Sequence, residues 1–370
     1  MKRFVAFVDS ETDENIWETV EDAYVYAFPL VLMDATETSA TNTEEVVNKK
    51  APVNQFIHSV ALADAQFRTV VTPNVDTIYS QVWYDLSEEP MVYELPKTDR
   101  FCKVQVLDGW TNTAAVLDKA GAYAITLSTW EGKLPEGVTR IDVPTSMAWS
   151  ITRIVLSGEE DLPNVYAIQG KMKLMPLSDY ISGDTYEPPR GSYSEENDYI
   201  PVDKVLSMDP ITFFNKANEL MVKNSPAAAD KEMLEKIAAV NIGPGMEFDT
   251  SVLTGDVAEN WKTMLTEIQL KLIKEGQKFS KKLGQWDYFG EPIGDFNTEY
   301  AYRALVALAG LGANTVEVAL YPKTEQDAPE DTTNWLPVGD GGFHLYMRIY
   351  TPDMDALETW TTPTITEKGL

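Results

Sequence analysis

The chain has 370 residues, of which 44% are hydrophobic and 11% aromatic, so it can bury substantial cores and is not intrinsically disordered. Its 58 acidic and 30 basic residues give a formal net charge of -28, which would repel nucleic acid and anionic membrane surfaces. We therefore expect no nucleic-acid partner, and we attribute the charge to a solvated surface.

Targeting signals are weak in this sequence. The apolar run after Lys2 and Arg3 ends at Asp9 and is too short for a signal peptide. No apolar run approaches the roughly 20 residues that a membrane span needs. The sequence as written predicts a cytoplasmic protein without membrane insertion, and a periplasmic or secreted protein is the alternative if an export signal has been removed. The single cysteine, Cys102, allows no intrachain disulfide and is interpreted as a packing residue.

A helix is predicted near the N-terminus. It begins at Thr12 or Asp13, continues with apolar residues at helical spacing through Val31, and is expected to kink at Pro29. The polar, threonine-rich stretch 37–47 is interpreted as a loop.

Alternating side chains then predict β-strands. Residues 77–84, 92–95 and 100–108 alternate between two faces, which we interpret as three successive strands of an antiparallel meander. Further strands are predicted at 122–127 and 148–156. The first part of the chain is therefore expected to be mainly β.

The composition changes after residue 180. Residues 181–200 are rich in Gly, Pro, Ser and charge, which is typical of a linker, and helical spacing follows. Helices are predicted from Asp209-Pro210 onward, over 230–240 and over 256–283. Their apolar stripes indicate packing and no chemistry.

Period-two alternation returns near the C-terminus. A last helix is predicted from Asn297 or Thr298 to Leu311, and residues 343–350 alternate as a strand. The patterns divide the chain into an N-terminal extension at 1–14, a β-rich domain at 15–180, a linker and helical connector at 181–290, and a C-terminal β domain at 291–370.

Several strings resemble two protein families of unknown function. The resemblance to family 1254 rests on APVNQFIH, VVTPNVDTIYSQVWYDLSEEP, LDGWTN and VPTSMAWSITR, and the resemblance to family 1214 on AYRALVALAGLGAN and NWLPVGDGGFHLYMRIYTP. Together they cover nearly the whole chain. The resemblance implies an α+β fold with a β-rich N-terminal module (sandwich or barrel-like), a helical connector and a C-terminal β-sandwich or jelly-roll-like module. It implies a bacterial, often exported protein and no established reaction.

The C-terminal module is shorter than the pattern of family 1214. Only an acidic stretch, residues 323–333, separates the segment ending at Pro322 from the one beginning at Asn334, where the family has several more strands. A shortened module exposes strand edges that a second copy of the chain can cover. We therefore predict self-association as a homo-oligomer.

Histidines and cofactor motifs are scarce. His58 and His344 are the only histidines, so a histidine-rich metal site is not expected. The nucleophile motif G-x-S-x-G, the glycine-rich phosphate loops and the calcium loop are all absent. The sequence therefore predicts neither a metal nor an organic cofactor. His58 is interpreted as a hydrogen-bonded structural imidazole, with general-base chemistry as the alternative.

Acids and aromatic residues provide the candidate site. Asp76 and Asp108 stand at the ends of separate predicted strands, and we expect them to converge at one sheet edge, where Arg153 can pair with either. Carboxylates beside aromatic rings suit sugar chemistry or sugar binding, and the alternative is that both aspartates form Asx turns. The candidate catalytic residues are Asp76, Asp108, Tyr79 and His58, and the candidate binding residues are Asn74, Trp110, Asn112 and Arg153.

Two functions from different classes remain open. One is a cofactor-independent enzyme that acts on a small polar or carbohydrate-like substrate through carboxylates and tyrosines. The alternative is a non-catalytic ligand-binding or assembly module. A buried acid with a raised pKa in a closed pocket favours the enzyme, and an open, flat cluster favours the module.

Overall fold

The computed structural model describes residues 11–47, 49–62, 76–253, 259–276, 278–283, 286–289, 292–310 and 360–361. The helices are α1 (Glu11–Ala40), α2 (Leu162–Gln169), α3 (Leu177–Ser182), α4 (Pro201–Leu206), α5 (Pro210–Lys223), α6 (Lys231–Ile237), α7 (Trp261–Gly276) and α8 (Tyr300–Gly310). The strands are β1 (Phe56–His58), β2 (Thr77–Asp85), β3 (Met91–Leu95), β4 (Cys102–Asp108), β5 (Thr113–Leu117), β6 (Gly121–Leu127), β7 (Val138–Val143), β8 (Met147–Val155), β9 (Lys173–Pro176), β10 (Ser280–Leu283) and β11 (Trp286–Phe289).

Two sheets form a sandwich in the N-terminal region. One has five strands in the order β1-β2-β8-β4-β5, and the other has four in the order β7-β6-β3-β9. Their facing apolar side chains, such as Val82 and Val104 from the first sheet and Tyr93 and Ile125 from the second, form one buried cluster. The predicted α+β class with a β-rich N-terminal sandwich is therefore confirmed.

The strand order corrects the predicted meander. Strand β8 lies between β2 and β4 and pairs antiparallel with both, while β3 belongs to the other sheet. The physical reason is that β8 is buried along both faces, which suits a central strand recruited from a distant part of the chain. Local alternation identified the strands but not their neighbours.

The helices cover the outer face of the five-stranded sheet. Helix α1 is buried on all sides over residues 23–33, as expected for a helix enclosed by other elements. On the sheet side, the rings of Trp83 and Trp149 stack with centroids 4.7 Å apart and belong to the same core cluster as α1. Residues of α5, α7 and α8 complete this core. The N-terminal sheet and the later helices thus share one apolar core, and the domain boundaries stay a prediction.

Several helix bounds differ from the predictions. Helix α1 continues to Ala40 into the stretch predicted as a loop, and the Thr36 hydroxyl in its last turns donates to the Leu32 oxygen at 2.6 Å. Helix α7 ends at Gly276, and the following segment 280–283 pairs antiparallel with the aromatic-rich segment 286–289 instead of continuing the helix. The predicted start of α5 is confirmed, since Asp209 accepts a hydrogen bond from the Thr212 N–H at 3.0 Å.

Other predictions concern parts of the chain outside the described residues. They include the strand at 343–350, the shortened C-terminal module, Asn74 and His344. Within the described ranges, no helix combines the length and apolar character that a membrane crossing requires.

Candidate functional site

The described candidate residues fall into two groups at opposite ends of the five-stranded sheet. Strands β2 and β4 both run antiparallel to β8, so they run in the same direction. Asp76 precedes β2, whose first residue, Thr77, pairs with Val155 at the end of β8. Asp108 ends β4 and pairs with Ala148 near the start of β8. The expectation that Asp76 and Asp108 converge at one edge is therefore wrong.

The first group lies where β2 begins. Tyr79 and Arg153 are direct neighbours across β2 and β8, and the buried Arg153 donates from Nη1 to the Gln105 side-chain oxygen at 3.0 Å. Asp76 is exposed, and its backbone oxygen accepts a hydrogen bond from the Leu156 N–H at 2.9 Å. The structure thus brings Tyr79 and Arg153 together but leaves the Asp76 side chain at the surface.

His58 belongs to the same end of the sheet but to its other face. Its Nδ1 lies 2.8 Å from the hydroxyl of buried Ser80, and its ring stacks on Phe56 with centroids 4.8 Å apart. Burial lowers the pKa of His58 to about 4, so the imidazole is neutral at physiological pH. This is the geometry of a structural imidazole, and a general-base role stays a prediction.

The second group is the turn between β4 and β5. One carboxylate oxygen of Asp108 accepts the N–H groups of Trp110 and Asn112, each at 2.8 Å, and the other accepts the Asn112 side-chain amide at 3.0 Å. Burial raises the pKa of Asp108, while these hydrogen bonds act in the opposite direction. Asp108 is therefore an Asx-turn residue whose acceptors are already occupied.

This turn delivers Trp110 into the core shared by sheet and helices. Gly109 allows the close approach, because a Cβ at that position would lie 3.3 Å from the Asn224 side-chain oxygen. The indole N–H of Trp110 donates to the Asn224 backbone oxygen at 3.2 Å, and only 3% of the residue is exposed. Asn112 in turn accepts a hydrogen bond from the Phe296 N–H, which ties the turn to the segment that leads into α8.

Arg303 lies beside Trp110 among three aromatic rings. Its guanidinium carbon is 5.2 Å from the ring centroid of Trp110, 5.4 Å from that of Tyr300 and 5.5 Å from that of Tyr26. Tyr300 and Arg303 are three residues apart on α8 and so share one helix face, while Tyr26 comes from the middle of α1. We call these four residues the Arg303 cage.

The guanidinium of Arg303 has unused hydrogen-bonding capacity. Only 2% of the residue is exposed, yet its Nε and Nη2 atoms have no hydrogen-bond partner within the described part of the chain. Among the residues that the structure describes, no carboxylate forms an ion pair with it within 4 Å. Nε and Nη2 together make the edge through which arginine binds carboxylates and phosphates in a bidentate manner.

The carboxylate of Asp230 supports the cage by accepting hydrogen bonds from its two tyrosines. Asp230, which is 2% exposed, accepts the hydroxyl of Tyr26 at 3.0 Å, the hydroxyl of Tyr300 at 3.1 Å and the Ala227 N–H at 3.1 Å. Burial raises the pKa of Tyr300 to about 12 and the pKa of Tyr26 still further, so both phenols are neutral donors. Asp230 therefore holds the two tyrosine rings in place around Arg303.

The chemistry open to this arrangement is anion binding. Asp108 and Asp230 each accept three hydrogen bonds, and the two tyrosine hydroxyls donate to Asp230. Within the described part of the chain, the Nε–Nη2 edge of Arg303 is a charged donor pair without a hydrogen-bond partner. Among the described residues, no set of three or more His, Cys, Asp or Glu side chains is arranged to hold a metal ion. The cage thus offers a guanidinium edge within aromatic walls.

Sequence reasoning found Trp110 but missed the other three members of the cage and Asp230. Arg303 is the only charged residue in the α8 sequence YAYRALVALAG, and a lone charge in an apolar helix is a recognisable signal. Tyr26 and Tyr300 carry no comparable signal, because tyrosines are common in apolar stretches.

Comparisons with known proteins agree with the two resemblances. The model of the family described as "Protein of unknown function (DUF1254)" matches residues 53–176, and the model of DUF1214, also of unknown function, matches residues 313–354. The tandem resemblance, with a short second member, is therefore confirmed over these residues. Trp110 lies inside the first match, whereas Tyr26, Tyr300 and Arg303 lie outside both.

One solved structure supports the fold. The chain is similar to the VPA0106 protein from Vibrio parahaemolyticus, with 19% sequence identity and a TM-score of 0.57 over 82% of this chain and 70% of that one. At this identity the similarity concerns the fold alone. No curated protein matches the chain.

Proposed function

We propose that this protein binds a small anionic ligand through the Nε–Nη2 edge of Arg303. The observation that carries the proposal is that Arg303 is 2% exposed, has two adjacent donors without partners among the described residues and lies among three aromatic rings. A built anion site needs these features: a fixed bidentate donor, a dry surrounding and rigid walls.

Stability alone does not explain the placement of Arg303. Moving a charged side chain out of water costs several kcal/mol after relaxation of the protein. Each cation–π contact contributes about 0.5–2 kcal/mol, and the charges of Arg303 and Asp108 attract each other, but neither interaction provides hydrogen-bond partners for Nε and Nη2. An apolar side chain of similar length would fill the same space without this cost, which supports a role for the charge in binding.

The enzyme hypothesis receives less support from the geometry. Catalysis through carboxylates and tyrosines needs an acid or base that can reach a substrate, but Asp108 and Asp230 are buried and each already accepts three hydrogen bonds from the protein. The raised pKa values of Tyr26 and Tyr300 make tyrosinate bases unfavourable near neutral pH. A sugar would also require free acceptors for its hydroxyl groups. Non-catalytic binding is therefore the better-supported alternative, and self-association stays a separate prediction.

A variant series tests the anion site. Sodium acetate, benzoate, phosphate and sulfate would be screened by thermal shift against the parent, Arg303→Met, Arg303→Lys and the control Arg140→Met. Arg140 also lies over a tryptophan ring, but its Nε donates to Asp142 and its Nη2 to the Trp130 backbone oxygen. We expect at least one anion to stabilise the parent and Arg140→Met, by up to about 2.7 kcal/mol at one hundred times its Kd.

The two Arg303 variants separate charge from geometry. Arg303→Met should lose the stabilisation by anions entirely, and Arg303→Lys should lose most of it, because lysine keeps the charge but not the bidentate edge. Failure of all four anions to stabilise the parent, or equal stabilisation of Arg303→Met, would overturn the proposal.

A further inference from the structure

We infer that the ligand of the Arg303 cage is a small monocarboxylate with a flat, apolar body. This inference rests on the proposed anion site and names the chemical class that fits it. Three properties of the cage lead to it: the charge around Arg303, the shape of the donor edge, and the nature of the walls.

The surrounding charges favour an anion with a single charge. The carboxylates of Asp108 and Asp230 are both linked to the cage, Asp108 through hydrogen bonds to the turn that carries Trp110 and Asp230 through hydrogen bonds from the two tyrosines. Arg303 lies close enough to Asp108 to lower its pKa, although burial has the larger, opposite effect. A phosphate monoester carries about 1.5 to 2 negative charges at neutral pH, so it would meet one cation and two anions.

The donor edge fits a planar group. Nε–H and one N–H of Nη2 point in the same direction in the plane of the guanidinium, which matches the two oxygens of a carboxylate in a parallel pair of hydrogen bonds. A tetrahedral phosphate can use the same edge, but its remaining oxygens would face aromatic rings without donors. Unpaired, desolvated oxygens would weaken its binding.

The aromatic rings of the cage favour a ligand whose uncharged part is flat and apolar. The Tyr26 ring lies 5.0 Å from that of Trp110, tilted by 43°, and 5.2 Å from that of Tyr300 in an edge-on arrangement. Aromatic and other flat apolar groups gain from such surfaces through burial and ring contacts. Tyr26 and Trp110 are buried, while Tyr300 is partly exposed, so the ligand is expected to enter past Tyr300 and to be small.

Isothermal titration calorimetry at pH 8 with four probes tests the inference. Benzoate carries both the carboxylate and the flat body, acetate lacks the body, phenyl phosphate replaces the carboxylate with a dianion, and benzamide removes the charge. We expect benzoate to bind the parent at least about tenfold more tightly than acetate or phenyl phosphate, and benzamide to give no measurable binding. Arg140→Met should reproduce the parent, and Arg303→Met should bind none of the probes.

The possible failures are distinguishable. If phenyl phosphate, or acetate, bound as tightly as benzoate and the binding still required Arg303, the anion site would stand and the monocarboxylate inference would be wrong. If no probe bound the parent, or if benzoate bound Arg303→Met and Arg303→Lys as tightly as the parent, the proposed function and the inference would both fail.

Discussion

Among the described residues, two arginines lie over tryptophan rings, and they differ in the hydrogen bonds that their donors form. Arg140 is 5.4 Å from the Trp130 ring, with Nε bonded to Asp142 at 2.7 Å and Nη2 bonded to a backbone oxygen at 2.8 Å. Arg303 is 5.2 Å from the Trp110 ring, and the same two atoms have no hydrogen-bond partner in the ranges that the structure describes.

The two arginines also differ in how much of the residue is exposed to solvent. One third of the Arg140 side chain is exposed, so water could satisfy its donors even without Asp142. Arg303 is almost completely buried, which is where missing partners are most costly. Donors that are bonded at the surface in Arg140 but lack described partners in the core in Arg303 favour a binding role for the buried arginine.

The largest effect is expected from removal of the Trp110 ring. Trp110→Ala should lower the free energy of unfolding by about 3–5 kcal/mol, because it removes a buried ring that joins the β4–β5 turn to α1. The matched control, Trp130→Ala, should cost much less, since Trp130 is only partly buried. Urea unfolding of both variants measures the difference, and equal losses would contradict the central position of Trp110.

The response to pH distinguishes the Arg303 cage from the end of the five-stranded sheet that carries His58. The folded-state pKa of His58 is lowered from 6.5 to about 4, so its contribution to stability is present above pH 6.5 and is lost as the pH falls toward 4. After allowance for its partial exposure, we expect a loss on the order of 2 kcal/mol that His58→Gln lacks. Benzoate affinity should stay constant between pH 6 and pH 8, because arginine does not titrate there. Weaker benzoate binding by His58→Gln than by the parent in this pH range would place the site near His58.

Much of the fold could be predicted from the sequence, because the alternation of side chains along a strand is a local property. The pairing of strands is not local, and the sequence did not predict it. Period-two alternation identified β2, β4 and β8, because each strand buries alternate side chains. It could not show that β8 separates β2 from β4, since strand pairing depends on contacts between distant segments.

The candidate site was harder to predict than the strands, because several of its residues are distant from one another in the sequence. Asp108, Trp110 and Asn112 were identified because turn chemistry is local. Tyr26, Asp230 and Arg303 come from three distant segments, and only the packing of α1 against α8 brings them together. The lone arginine in α8 was the one available signal, and the sequence alone offered no partner for it.

Replacing each of the two arginines by methionine compares their contributions to the free energy of unfolding. Arg303→Met removes a buried charge that has no direct ion-pair partner among the described residues, so the ligand-free protein should be unchanged or stabilised by about 1 kcal/mol. Arg140→Met breaks a partly exposed ion pair and should cost no more than about 1 kcal/mol. Thermal unfolding in buffer without carboxylates measures both. A loss of about 3 kcal/mol or more in Arg303→Met would show that its charge is structurally compensated.

The smallest effect is expected at the partly exposed wall of the cage. Tyr300→Phe removes one hydroxyl donor to Asp230 and should lower the free energy of unfolding by about 0.5–1 kcal/mol. Tyr26→Phe removes the equivalent donor from a fully buried ring and should cost more. If both variants unfolded like the parent in urea, Asp230 would not hold the two rings in place.

The most direct test is a crystal structure of the protein with 4-bromobenzoate, in which anomalous scattering from bromine locates the ligand independently of the protein phases. We predict one bromine peak near the ring of Tyr300 and carboxylate oxygens within about 3 Å of Arg303 Nε and Nη2. A carboxylate of the protein itself bonded to these two atoms, or bromobenzoate bound only elsewhere, would contradict the account.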